Sequence, residues 1–116
     1  VLREADVLSF HVPGTPLTKE MFGEAQVAHM KPSALVINTA RGSVIRFDET
    51  VAAVRDGRLG GFATDVFPNE PFDASPFAED DRLYFTPHIG GNSRESIMAM
   101  GRSAIHHLRQ HIERGR

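Results

Sequence analysis

The sequence predicts an α/β fold in which a parallel sheet is flanked by helices, and three observations carry the prediction. Four short runs rich in β-branched and aliphatic residues, Val7 to Val12, Ala34 to Thr39, Gly61 to Val66 and Leu83 to Thr86, have the length of strands. The stretches between them are too long for hairpins and two carry helical signals, so consecutive strands run parallel through crossovers. With 116 residues, 41% hydrophobic and 24% charged, the chain has material for one small globular domain and no second.

Taken in order, the first strand is followed by helix formers from Lys19 to Met30, closed at Lys31-Pro32, where the proline stops a helix and turns the chain into the second strand. Asp48 then offers a cap for a helix with Val51 and Val54 on one face and Gly57 as its terminator. The third connection, Phe67 to Arg82, holds Pro68, Pro71 and Pro76 among several acids without helical periodicity and reads as a long loop. After the fourth strand Asn92 and Ser93 are candidate caps of a last helix. Its apolar residues Ile97, Ala104, Ile105, Leu108 and Ile112 fall on one stripe.

Composition excludes several classes of function. Thirteen Lys and Arg against fifteen Asp and Glu leave a net charge of -2, and the basic residues are scattered, so nucleic acid is not an expected partner. The chain has no cysteine, which removes a disulfide scaffold, a thiolate zinc site and a cysteine nucleophile, and agrees with a cytoplasmic location. The longest aliphatic run, Ala34 to Ile37, is far shorter than the roughly 18 apolar residues of a membrane span, so no membrane is expected. His107 and His111 have i, i+4 spacing on the last helix, but no third ligand or H-E-x-x-H motif accompanies them; they read as a solvated face, with no metal expected. Met98 and Met100 read as packing residues.

In an open parallel sheet, ligands bind outside the carboxyl ends of the strands, so the residues after each strand are the candidates. They are His11-Val12-Pro13, then Thr39-Ala40-Arg41-Gly42, then Asp65 with Glu70-Pro71, then Pro87-His88-Ile89-Gly90-Gly91. One arginine, two carboxylates and one or two histidines on one rim suit proton transfer on an anionic substrate. A carboxylate beside an imidazole favours its charged form and fixes its tautomer, which makes Glu70 and His88 a proton-handling pair. The planar fork of Arg41 can bind a carboxylate and set positive charge beside a carbonyl that becomes negative on reduction. Each residue also has a plainer reading: His11 as a hydrogen-bonded surface histidine, Asp65 as a loop cap, Glu70 as a solvated acid, Arg41-Gly42 as a strand exit, and Gly90-Gly91 as a turn into a helix.

These residues resemble the D-isomer-specific 2-hydroxyacid dehydrogenases. Four stretches carry the resemblance in order: Ala5-Asp6-Val7 leading to Ser9-Phe10-His11-Val12-Pro13; Met30-Lys31-Pro32 followed by Ile37-Asn38-Thr39-Ala40-Arg41-Gly42; Asp65-Val66-Phe67-Pro68-Asn69-Glu70-Pro71; and Thr86-Pro87-His88-Ile89-Gly90-Gly91. The resemblance implies a Rossmann-like fold, here the second half of a doubly wound parallel sheet flanked by helices. It implies hydride transfer between NAD(H) and a small 2-oxo or 2-hydroxy acid, with Arg41 orienting the substrate carboxylate, His88 as general acid/base and Glu70 as its partner. Family cofactor contacts fall on His11, Val12, Pro13, Thr39, Ala40, Arg41, Asp65, His88, Gly90 and Gly91, with Asp65 beside the nicotinamide carboxamide. For the complete protein the resemblance implies a homodimer, the usual state of the family, and leaves the oligomeric state of these residues open.

Two departures set further expectations. No G-x-G-x-x-G occurs, nor the acidic ribose reader that follows it, so NAD against NADP stays open. Arg46-Phe47 stand where the family has an acidic pair, and Asn92 where a small residue is common. Residues 1–116, opening at Val1 in an element already midway through a fold, are expected to be the C-terminal part of the nucleotide domain, with the glycine-rich half and the substrate domain absent and little activity in isolation. Two rivals are an NAD-sensing or corepressor-like binding module and an unrelated receiver-like or flavodoxin-like domain. The second predicts none of the four ordered stretches.

Overall fold

The computed structural model describes residues 1–115; Arg116, the last residue of the expected domain, lies outside the described residues. Its strands β1 (Val7–Phe10), β2 (Leu35–Asn38), β3 (Gly61–Thr64) and β4 (Leu83–Phe85) form one parallel sheet in the order β1-β2-β3-β4. All four expected strands are present, each ending one to two residues sooner, so that His11, Val12, Thr39, Asp65, Val66 and Thr86 belong to the rim rather than to the ladder.

Register divides the sheet into two faces. Leu8, Val36, Phe62 and Leu83 lie side by side, as do Phe10, Asn38, Thr64 and Phe85; these rows point to one face. The intervening rows, Val7, Leu35 and Gly61, then Ser9, Ile37, Ala63 and Tyr84, point to the other. The first face is covered by α1 (Glu24–Val27), α2 (Phe47–Arg55) and the third connection, and it holds the core: Phe10, Phe22, Val27, Val36, Val54, Phe62 and Leu83 are all buried.

The helix expected over Lys19 to Met30 is corrected to the four residues of α1. Glu20 has a left-handed φ of 51°, which a right-handed helix cannot contain, and its N–H donates to the Ser43 carbonyl. Phe22 forms a parallel bridge with Ile45, a long-range pairing that pulls the segment straight before Gly23 caps α1. The expected cap of α2 moves from Asp48 to Arg46, leaving Asp48 and Glu49 in the first turn, where their charge complements the helix dipole. Gly57 ends that helix as expected, with φ of 74° in the region open to glycine.

The third connection is a loop as expected, with one short 3-10 turn at Ser75–Phe77, but it is far from bare. Phe47 of α2 is ringed by Phe62, Phe67, Phe72, Phe77 and Phe85 at centroid distances of 5.1 to 6.0 Å, and Phe67 stacks on Phe72 at 4.2 Å. Aromatic pairs of this kind add about 0.5–1.5 kcal/mol each beyond the area they bury. They hold down a segment whose prolines and acids favour solvent.

The last helix, α3 (Arg94–Arg114), is capped by Ser93, whose Oγ accepts the Ser96 N–H at 3.1 Å; Asn92 is not the cap. Its apolar stripe is present but uncovered, with Ile97, Ile105, Leu108 and Ile112 all at least half exposed. The helix runs off the sheet and stretches the chain to 61 Å along its longest axis. Among the described residues no helix is long and apolar enough to cross a membrane.

Candidate active site

Every candidate residue sits at the carboxyl end of the sheet, because a parallel sheet delivers all its strand exits to one rim. Each exit is tied down by polar groups of the strand ends. Asn38, buried at the end of β2, accepts the Ala40 N–H through Oδ1 and donates Nδ2 to the Arg41 carbonyl, both at 3.0 Å. That pair of hydrogen bonds turns the chain outward at Arg41. The Arg41 side chain is exposed, and its Nη1 donates to the Ala40 carbonyl at 2.7 Å. Its stem runs past Gly14, where a Cβ would meet Arg41 Cγ at 3.0 Å, so the first and second rim loops touch.

The first rim loop places His11 in solvent, with Nε2 at 2.9 Å from the Ser9 hydroxyl, and Val12 half-buried against the core. The Pro13 carbonyl accepts the Thr18 hydroxyl at 2.6 Å. Thr39 is exposed and Ala40 is buried beneath it.

Glu70 and His88, eighteen residues apart, meet as expected: the carboxylate Oε2 lies 2.7 Å from Nδ1 of the imidazole. The other oxygen, Oε1, accepts the Phe67 N–H at 3.0 Å. The His88 hydrogen bond first, and the Phe67 N–H second, hold the Glu70 carboxyl below its ordinary value, so it is ionised at neutral pH. With Nδ1 bound to a carboxylate, Nε2 is the ring position that faces outward for proton exchange, and it has no hydrogen-bond partner among the described residues. A recess of about 390 Å³ opens beside the pair, lined by Phe67, Glu70, Pro71, Phe72, Pro87 and His88.

Phe67 links this pair to the arginine. A Cβ on Gly42, the residue after Arg41, would run into the Phe67 carbonyl and the Pro68 nitrogen. Only a glycine lets the two loops pack backbone against backbone there.

Asp65 is buried at the exit of β3. It is 7% exposed, and its carboxylate accepts the Thr86 hydroxyl at 2.6 Å and the Ile89 N–H at 2.8 Å through Oδ1, and the Gly90 N–H at 2.8 Å through Oδ2. Burial pushes this carboxyl up, but the Thr86, Ile89 and Gly90 donors together outweigh it and hold the group below its ordinary value. His88, between these donors, has a φ of 54°. A non-glycine residue held there costs of order 1–3 kcal/mol. Gly90 is packed on Asp65, whereas a Cβ on Gly91 would meet nothing within 4 Å.

The residues singled out from the sequence as catalytic or cofactor-contacting all lie on the rim, Asp65 and Ala40 buried in it and the others at least partly open; Asn38, Thr64, Thr86 and the Phe67–Phe72 stack, which brace it, were not given a role. The signal was available for two of them. Asn38 and Thr64 are polar residues at inward-facing strand positions, where a polar side chain must find partners.

Residues 1–90 match the family described as D-isomer specific 2-hydroxyacid dehydrogenase, NAD binding domain. Over 106 residues the chain is 44% identical to a D-3-phosphoglycerate dehydrogenase of Haemophilus influenzae, covering 87% of this chain and 26% of that protein. The NAD-complexed D-isomer specific 2-hydroxyacid dehydrogenase of Lactobacillus delbrueckii ssp. bulgaricus superposes with a TM-score of 0.86 at 29% identity, over 100% of this chain and 40% of that one. A D-isomer specific 2-hydroxyacid dehydrogenase from Xanthobacter autotrophicus, in complex with NADPH and MES, superposes with a TM-score of 0.70 at 32% identity, over 76% and 29%. The chain thus spans less than a third of the length of the curated relatives it matches, 26% and 29% in two cases and 17% in another.

Proposed function

The chain belongs to the D-isomer-specific 2-hydroxyacid dehydrogenase family, in the part that binds the nucleotide, and from that premise we propose that it carries the proton-transfer and substrate-anchoring half of an NAD(P)-dependent dehydrogenase acting on a small 2-oxo or 2-hydroxy acid. The observation that carries the reading is the 2.7 Å contact of Glu70 with Nδ1 of His88 on the same rim as Arg41. It also favours catalysis over a purely sensing module, which has no need of an ionised carboxylate fixing an imidazole.

The residues present fit the nicotinamide end of the cofactor. The loops at His11, Val12 and Pro13, at Thr39 and Ala40, and at Gly90 and Gly91 all lie on the rim, and a Cβ on Gly91 would meet nothing within 4 Å, which leaves the backbone there open to approach. Asp65 serves this end as the anchor of the Gly90 loop. No glycine-rich diphosphate loop is in the 116 residues, so the adenosine half would be held elsewhere in a longer chain, of which residues 1–116 would be one part of the nucleotide domain. When bound, NAD(H) supplies or accepts the hydride at the substrate's second carbon.

Arg41 binds the substrate carboxylate and lies beside the carbonyl oxygen, where its charge offsets the negative charge that develops as reduction proceeds. His88 delivers the Nε2 proton to that oxygen in reduction and takes it back from the hydroxyl in oxidation. Glu70 stays ionised throughout and holds Nδ1–H, which keeps Nε2 pointed outward. Each reduction thus moves one hydride and one proton.

The test is NADH-dependent reduction of a panel of 2-oxo acids by the full-length chain and its variants. His88→Ala is expected to lower kcat by roughly 10²- to 10⁴-fold, the usual worth of a general acid. Arg41→Lys, which loses the planar fork, is expected to raise KM for the acid. Wild-type turnover by His88→Ala would sink the reading. The 116 residues alone are expected to show little turnover, since His11, Arg41 and His88 on the rim are exposed to water.

A further inference from the structure

We propose that Thr86 is a positioning residue for His88, acting through Asp65; the proposal rests on the reading of His88 as the proton-transferring group. The three donors on the Asp65 carboxylate come from both sides of that histidine in sequence. Thr86 enters the loop, while Ile89 and Gly90 leave it. One buried carboxylate therefore grips the chain on its way in and on its way out, with His88 at the apex.

Between the two grips the backbone closes on itself, the His88 N–H donating to the Thr86 carbonyl at 3.0 Å, and His88 adopts its left-handed φ. Thr86 is also bound to the sheet, its N–H donating to the Thr64 carbonyl at 3.0 Å. The entering grip is thus the one referenced to β3, the strand that leads directly into Asp65 itself.

The Thr86 hydroxyl is the sole side-chain donor of the three, so it can be removed without touching the backbone. At 7% exposure Asp65 has little access to water that would replace the lost bond. Without the hydroxyl the outgoing grip remains and the incoming one loosens. Nδ1 then leaves its 2.7 Å position against Glu70, and Nε2 leaves the place where it meets substrate. Displacement of about 1 Å in a group aligned for reaction is enough for a loss on the order of 100-fold.

The experiment uses the full-length chain with NADH and a 2-oxo acid, measuring kcat and KM separately and NADH affinity by fluorescence. Thr86→Val keeps the shape and loses the hydroxyl; it is expected to lower kcat roughly 10- to 100-fold while KM and NADH affinity hold. Thr86→Ser restores the hydroxyl and is expected to restore kcat. Asp65→Asn, whose amide has one acceptor oxygen where the carboxylate has two and so cannot hold all three donors, is expected to lower kcat as well and stands in if Thr86→Val does not fold. Unchanged kcat in Thr86→Val overturns the proposal, as does Thr86→Ser being equally impaired. Weakened NADH binding with kcat intact would make the pair a cofactor contact, and loss of fold in both Thr86→Val and Asp65→Asn would make it a stability element; either also overturns it. His88→Ala in the same assay separates the two ideas, since wild-type turnover there defeats the reading of His88 itself.

Discussion

On one face of the sheet Phe10, Val36, Phe62 and Leu83 are covered by helices and the phenylalanine cluster, whereas on the other Val7, Leu35 and Tyr84 stand 53%, 45% and 71% exposed. Both faces carry apolar residues, the pattern of a parallel sheet built to be buried on both sides. The crossovers within this chain cover one side. The difference teaches that the candidate rim is braced chiefly from the covered face, because Asn38 and Thr64 lie in its outermost row and Phe85 carries that row into the aromatic cluster.

The two faces should therefore respond unequally to substitution. Phe62→Ala, in the middle of the covered face, is expected to cost about 3–5 kcal/mol, read as a drop in the urea midpoint; a small effect would erase the distinction. Asp65→Asn follows, at roughly 1–3 kcal/mol, since a single amide oxygen cannot accept all three donors that the buried carboxylate holds. The wild-type carboxylate should also show itself in pH dependence. Folding lowers the Asp65 pKa, so its contribution is fully present above the ordinary value of 3.8 and is lost as pH falls through the lower folded value. Urea midpoints taken between neutral pH and strong acid should fall in the wild type and fall less in Asp65→Asn.

Smaller effects are expected where nothing is packed. Ser93→Ala removes the cap of α3 and should cost that helix about 1 kcal/mol, visible as lost helicity by circular dichroism without a matching shift of the sheet's midpoint. Leu35→Thr on the open face should change stability by no more than about 0.5 kcal/mol in the 116 residues. In a longer chain that covers this face, the same change should cost several times as much, and equality of the two would show the face to be bare there as well.

Much of this was legible in the sequence because it is local. β-branched runs mark the four strands, Ser93 marks the start of α3, and Gly57 the end of α2. What escaped is set at long range. Nothing near Lys19 announces that Phe22 pairs with Ile45, and that pairing is what reduces the expected helix to four residues. Phe67, Phe72 and Phe77 look like exposed loop residues until Phe47 of α2 is brought among them. The site divides the same way. His88, Glu70 and Arg41 stand out as unusual polar residues at strand exits, but the grip on the His88 loop needs Asp65 and Thr86 to meet across 21 positions, which only the parallel sheet arranges.

Gly42 has a consequence for variation in the gene. Any side chain there must push against the Phe67 backbone, and the Phe67 N–H is what holds Glu70. A missense change at a residue with no side chain and no charge would therefore reach the carboxylate behind His88 from the Arg41 side. In a mutational scan scored by growth, position 42 should look as intolerant as the positions proposed to be catalytic, although it offers no chemistry of its own.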